Sequence, residues 1–162
     1  MTRLMHRRHM IGILGGTLAA TGALSAGEPR ITVQPYNTLT DEDEIELGRI
    51  YSGQLEKSLD ILDVGPLTSY MTNAVQRLGK VSQRPNMPYQ MKVVNDPAVN
   101  AFAIAGAYLY ANRGLLEWAN NESELMSVLS HEVGHVVGRH GANQFSRRAH
   151  AKQLYDLLKK SI

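Results

Sequence analysis

The 162-residue sequence contains no cysteine, one tryptophan and two phenylalanines. The absence of cysteine excludes disulfide bonds, thiolate zinc sites, a cysteine nucleophile and a lipid-modified cysteine. Any metal ion must therefore be held by nitrogen and oxygen ligands. The length and the hydrophobic content of 43% suit one globular domain with a single core.

The sequence also lacks a strong net charge once its first 26 residues are set apart. These contain Arg3, Arg7 and Arg8 without any acid, followed by the uncharged run IGILGGTLAATGALSA. The order is typical of an export signal, and the glycines in the run favour a cleaved signal over a membrane anchor. The adjacent arginines leave the general secretory and twin-arginine routes both open.

The charge balance of the remaining chain excludes one class of partner. Removing the three leader arginines from 17 basic residues leaves 14, against 15 acidic residues. A nearly neutral chain offers no basic surface for a phosphate backbone, so no nucleic-acid partner is expected.

Hydrophobic spacing predicts an α+β domain that is mainly helical. A first helix starts at the N-cap Thr40 and continues to about Leu59, and a second covers GPLTSYMTNAVQRLGKV. The segments YQMKVVND and NAFAIAGAYLYANR predict two strands or a hairpin. A short helix or turn follows in GLLEWAN, where Trp118 is expected to fill the junction between the hairpin and the next helix.

The long helix after the hairpin carries the most informative motif. Asn121 and Glu124 form a predicted N-cap pair that opens a helix from about Glu122 to Arg139, and residues 141–162 are helical as well. Residues 131–140 of this region read HEVGHVVGRH and contain three of the six histidines.

Helical geometry separates these histidines from the core. At 100° per residue, His135 lies about 40° from His131 and Glu132 about 100°, whereas the apolar stripe lies between about 120° and 240°. Two imidazoles four residues apart can share one zinc ion, and the adjacent carboxylate can reach a water molecule on that ion. The alternative is two surface histidines that flank a glutamate by chance.

Other residues of the motif have a less direct interpretation. In a regular helix His140 lies about 180° from His131, so it cannot join the same ion. The third histidine of the metzincin pattern HExxHxxGxxH would fall at Gly141. Glycine is unfavourable in a helix interior, so Gly134 and Gly138 are expected to allow the close approach of another backbone or of a substrate.

The stretches NAFAIAGAYLYANRGLL and ESELMSVLSHEVGHVVGRHGA resemble the gluzincin zinc metalloendopeptidases. These include Ste-type CAAX prenyl proteases, HtpX-like proteases, and periplasmic BepA-like and mitochondrial Oma-type peptidases. The resemblance extends weakly upstream to about residue 41. It implies the N-terminal half of a zincin-like fold, with a small β-hairpin or sheet beside the HExxH helix.

The resemblance also implies the site and its cofactor. His131 and His135 would bind one Zn²⁺ per chain, and Glu132 would act as the general base. The strand around residues 101–110 would lie beside the cleft, where an extended substrate adds as a further strand.

Two departures from the family pattern stand out. The family often has Pro-Gly-Gly where this chain has Ala105, Gly106 and Ala107. The resemblance further implies a third zinc ligand, a glutamate well downstream, whereas Asp156 is the only acid after His135. Asp156 and His150 are weak substitutes, because both are more simply explained as solvated surface residues.

We therefore expect an export signal over residues 1–26, a linker over 27–40 and a partial metallopeptidase domain over 41–162, truncated before the third ligand. The leading hypothesis is a periplasmic zinc metalloendopeptidase that acts on proteins or peptides, such as misfolded envelope proteins. One alternative is a non-catalytic remnant or client-binding module that keeps the cleft. Another is a membrane-associated protein that keeps its first 26 residues.

Overall fold

The computed structural model describes residues 37–160, with side chains described as far as residue 153. The predicted export signal and most of the predicted linker lie outside the described residues. The elements, in chain order, are α1 (Asp41–Leu55), α2 (Gly65–Lys80), β1 (Gln90–Val94), β2 (Ala101–Ile104), a 3₁₀ turn (Ala105–Ala107), β3 (Tyr108–Asn112), α3 (Arg113–Trp118), α4 (Glu122–Val137) and α5 (His140–Lys160). This confirms a mainly helical α+β fold with a small sheet.

Two helices start where their capping residues predict. The Thr40 side chain accepts a hydrogen bond from the Asp43 N–H, and the Asp43 carboxylate accepts one from the Thr40 N–H. At α4 the Asn121 side chain accepts from the Glu124 N–H. Each cap satisfies backbone donors that have no partner within the helix, which fixes the first turn.

The first helix ends at Leu55, so the predicted extension to about Leu59 is wrong. After α1 the chain turns towards β1, where the Leu62 N–H donates to the Val93 carbonyl and Ile61 forms a bridge with Val94. The outer edge of β1 has unpaired backbone groups that need partners. Because residues 61 and 62 pair with this edge of β1, the helix ends at Leu55 although the apolar spacing continues to Leu59.

The sheet has three strands in the order β1-β3-β2. Strands β2 and β3 form an antiparallel hairpin joined by the 3₁₀ turn, whereas β1 runs parallel to β3. The segment NAFAIAGAYLYANR therefore forms two strands, and the prediction that it pairs as a hairpin with YQMKVVND is wrong. Strand β2 is therefore an outer strand of the sheet, and α4 contacts it. This contact brings the HExxH helix beside the hairpin.

The core lies between the sheet and helices α2 and α4. Five of the six α4 residues of the predicted apolar stripe are buried, and Met126 is partly buried; the five are Leu125, Leu129, Val133, Val136 and Val137. They pack with Met71 and Val75 of α2 and with sheet residues that include Met91 and Leu109. The expectation for Trp118 is wrong, because its side chain is 50% exposed and Leu115 is the α3 residue that enters the core.

None of the helices within residues 37–160 combines the length and apolarity needed to cross a membrane.

Helix α1 packs directly on the backbone of the 3₁₀ turn. A Cβ atom on Gly48 would lie 2.2 Å from the Ala105 carbonyl oxygen. Both Gly106 (φ 76°) and Ala107 (φ 64°) have left-handed backbone conformations. The turn therefore has the left-handed bend that two consecutive glycines would favour, although its second residue of this kind is Ala107.

A buried ion cluster connects the start of α1 to the end of α4. The Glu44 carboxylate, 1% exposed, accepts hydrogen bonds from Arg84 at 3.0 and 3.2 Å and from Arg139 Nε at 3.0 Å. Arg84 also donates to Asp41 at 2.7 Å and to the Val136 carbonyl at 2.9 Å. The cluster thus fixes the residues that follow the HExxH motif.

The close approach of α1 predicts opposite effects for two glycines of that helix. Gly48→Ala should lower the free energy of unfolding by at least about 2 kcal/mol, because the new methyl group meets a backbone carbonyl. Gly53→Ala should raise it by about 0.5 kcal/mol, because nothing lies within 4 Å of its Cβ position and alanine favours a helix. Urea unfolding followed by circular dichroism measures both, and equal effects would contradict the packing.

The ion cluster predicts a large loss of stability for Glu44→Ala. Removing this carboxylate leaves two largely buried arginines without their shared partner, which should cost about 3 kcal/mol in free energy of unfolding. Glu46→Ala is the matched control on the same helix. Glu46 pairs with Arg49 at an exposed position, so its removal should change the free energy of unfolding far less. Similar losses for both variants, again in urea, would show that the cluster does not stabilise the fold.

Candidate metal centre

The two histidines of the HExxH motif face each other on α4. Their Nε2 atoms are 3.1 Å apart and their rings are nearly perpendicular, at 85°. In the described part of the chain, His131, Glu132 and His135 are the residues that come together as a group of three metal-binding side chains, with ligand atoms within 4.8 Å of one another. The structure therefore places the three predicted site residues together.

The geometry of the histidine pair fits a shared zinc ion. Tetrahedral zinc with Zn–N bonds of about 2.0–2.1 Å places two ligand nitrogens about 3.3 Å apart. The observed separation of 3.1 Å is close to this value and also suits a hydrogen bond between two neutral rings. His131 is exposed, so an ion can reach the pair from solvent. These residues could therefore supply two nitrogen ligands to a metal ion.

The surroundings of His135 favour its metal-binding form. Burial lowers the pKa of this imidazole, and the neighbouring charges of His131 and His140 lower it further. Zinc binds the neutral imidazole, so a lowered pKa reduces competition from protons.

The Glu132 side chain extends from α4 towards β2, an outer strand of the sheet. Its side chain is only 7% exposed, and burial raises the pKa of the carboxyl group. The charge of His131 and a hydrogen bond from the Ala103 N–H of β2 act in the opposite direction. A carboxylate with a raised pKa is suited to accepting a proton and releasing it again.

His140 lies beside His135, so the placement predicted from an unbroken helix is wrong. Helix α4 ends at Val137, and Arg139 adopts a left-handed conformation with φ 56°. The chain turns there, which brings His140 Nδ1 to 2.5 Å from His135 Nδ1. The sequence contained a signal for this break, since Gly138 stands near the helix end, where glycine often terminates a helix.

The two glycines of the motif have different environments. A Cβ on Gly134 would meet nothing within 4 Å, so this side of the helix stays open. A Cβ on Gly138 would lie 2.7 Å from His140 Nε2. The structure thus shows open space at Gly134, and Gly138 makes room for the His140 ring.

Among the described side chains, no metal-binding group other than Glu132 joins the histidine pair. His150 is exposed on α5 and is not part of the metal-binding group. The side chain of Asp156 lies outside the described residues. Both stay sequence-based candidates.

Comparison with known proteins agrees with the motif. Residues 67–159 match Peptidase family M48. The chain is 32% identical over 143 residues to a beta-barrel assembly-enhancing protease of Yersinia pestis, an alignment that covers 81% of this chain and 29% of the relative. The same identity holds over 112 residues for the Escherichia coli K12 protein of that name, with 69% and 23% covered.

A mitochondrial relative is also similar. Mitochondrial metalloendopeptidase OMA1 of Schizosaccharomyces pombe is 32% identical over 81 residues, or 50% of this chain and 24% of the relative. The chain thus spans less than a third of the length of these curated relatives. The family match covers more than half of the chain, including α4 and its HExxH motif, and the chain therefore belongs to peptidase family M48.

Proposed function

We propose that this chain forms the HExxH part of a zinc metalloendopeptidase site. His131 and His135 hold one Zn²⁺ through their Nε2 atoms, and Glu132 is the general base. The convergence of these two Nε2 atoms at 3.1 Å beside a buried carboxylate carries the proposal. Membership in peptidase family M48 supports it.

Each residue of the site has a defined task in peptide-bond hydrolysis. When bound, zinc lowers the pKa of a water molecule and polarises the scissile carbonyl group. Glu132 accepts the proton of the attacking water and delivers it to the leaving amine. Its pKa, raised by burial, supports this exchange. His131 and His135 orient the reaction by fixing the ion on one side of α4.

The substrate is proposed to be an extended protein segment. Strand β2 is an outer strand of the sheet, and it contacts α4, the helix that carries Glu132. A segment that pairs beside β2 would present its carbonyl groups close to the histidine pair, and main-chain hydrogen bonds would supply affinity with little dependence on sequence. This binding mode suits unfolded or misfolded proteins.

The cell envelope is the proposed site of action. The relatives in Yersinia pestis and Escherichia coli are named for enhancing β-barrel assembly. Together with the predicted export signal over residues 1–26, their names support a periplasmic protein that acts in envelope protein quality control. The domain division into 1–26, 27–40 and 41–162 belongs to this proposal.

A second candidate function is a client-binding module without catalysis. It is favoured by one observation: the described side chains bring two imidazoles to the ion position, whereas catalytic zinc takes three protein ligands and a water. His150 and Asp156 remain the candidates for the third ligand. Zinc stoichiometry measured together with casein hydrolysis distinguishes the functions, because a binding module would retain unfolded casein without cutting it.

Glu132→Gln should separate zinc binding from catalysis. The variant keeps both imidazoles but loses the proton acceptor, so zinc content should stay unchanged while casein hydrolysis falls by at least about 100-fold. Glu122→Gln, on an exposed part of the same helix, is the matched control and should retain activity. A Glu132→Gln variant as active as the wild type would remove Glu132 from the mechanism.

His131→Ala should release the metal. One remaining imidazole cannot hold the ion in place of two, so the zinc content measured by atomic absorption should drop from about one per chain to near zero. His150→Ala should keep its zinc if His150 is a surface residue. Full zinc occupancy in the His131→Ala variant is incompatible with the ligand assignment.

A further inference from the structure

We propose that His140 is a positioning residue that accepts a hydrogen bond from the Nδ1–H of His135 and thereby directs Nε2 of His135 to the ion. This inference rests on the zinc site proposed above. It concerns which nitrogen of His135 carries the proton, not the charge of the ring.

The two nitrogens of His135 have different partners. Nε2 lies 3.1 Å from Nε2 of His131, and Nδ1 lies 2.5 Å from Nδ1 of His140. A neutral imidazole carries its proton on one nitrogen, so a ring that binds metal through Nε2 carries it on Nδ1. Metal-binding histidines usually donate this second N–H to an acceptor, which fixes the ring orientation.

Either ring could donate in this contact, but only donation from His135 Nδ1–H leaves Nε2 of His135 unprotonated for a metal ion. His140 accepts at Nδ1 only when its own proton is on Nε2, and this side chain is exposed, so that N–H can be hydrated. The rings are tilted by 58° with centroids 4.8 Å apart, which is a hydrogen-bonding rather than a stacked arrangement. Because His140 faces Nδ1 of His135, it lies away from the Nε2 pair and is not placed to be the third ligand.

The backbone around His140 is built to hold this contact. Arg139 keeps a left-handed conformation, which a side chain disfavours, and its guanidinium is fixed by Glu44 at 3.0 Å and by the Leu39 carbonyl at 2.7 Å. Gly138 leaves the space that His140 Nε2 occupies, since a Cβ there would be 2.7 Å away. The bend after α4 thus places the His140 side chain against His135.

The test compares substitutions at position 140 in the full chain, with zinc affinity measured by competition with a chromophoric chelator. His140→Ala should weaken zinc binding 10–100-fold, the range typical for loss of a ligand's hydrogen-bond partner. His140→Asn offers an oxygen close to the position of Nδ1 and should restore affinity to within about threefold of the wild type. Gln144→Ala, which alters an exposed residue of the same helix, should leave affinity unchanged.

Gly138→Ala provides a second route to the same result. The added methyl group displaces the His140 ring, so zinc affinity should fall as in His140→Ala, whereas Gly134→Ala, which meets open space, should bind zinc normally.

Long-range ¹H–¹⁵N NMR reads the proton position directly. His135 should carry its proton on Nδ1 before and after zinc is added, and His140→Ala should give a mixture of tautomers in the metal-free chain.

The outcomes distinguish this inference from the proposed function. If the wild type binds no zinc, the metal site itself fails and the positioning role fails with it. If the wild type binds zinc and His140→Ala binds it equally well, only the positioning role is overturned. A His140→Asn variant as weak as His140→Ala, or an NMR shift that shows zinc on a His140 nitrogen, also overturns it.

Discussion

The buried carboxylate of Glu44 is the contact on which the arrangement of the site depends. It lies between Arg84, from the loop before the sheet, and Arg139, from the bend after α4. An unpaired charge at such a position is strongly unfavourable, so the three side chains have to stay together. Their association joins the first turn of α1, the loop at Arg84 and the end of the HExxH helix. The contact between Glu44 and Arg139 thereby determines the direction of the chain after Val137.

Helix α4 has two faces with separate tasks. One face buries Leu129, Val133 and Val136 against the sheet and α2, which fixes the rotation of the helix about its axis. With that rotation set, His131 and His135 face outward and Glu132 faces β2. Packing of the apolar stripe thus determines where the polar groups point, so the site is as rigid as the core beneath it.

The sequence predicted the features that depend on local spacing. The caps at Thr40 and Asn121 and the common side of His131 and His135 each follow from residues within a few positions of one another. The parallel pairing of β1 with β3 and the burial of Glu132 depend on contacts between distant segments, which periodicity does not report. The placement of His140 was missed for the same reason. Arg139 is held by Glu44, 95 residues earlier in the chain, in an acidic run that resembled an ordinary helix start.

The proposed sharing of one zinc ion by the Nε2 atoms of His131 and His135 can be tested in crystals of the zinc-loaded chain. Data measured on both sides of the zinc absorption edge locate the ion in anomalous difference maps. One peak is expected about 2.0–2.1 Å from both Nε2 atoms. Absence of a peak at the pair, or a peak bound only by residues elsewhere in the chain, would rule out the shared ion.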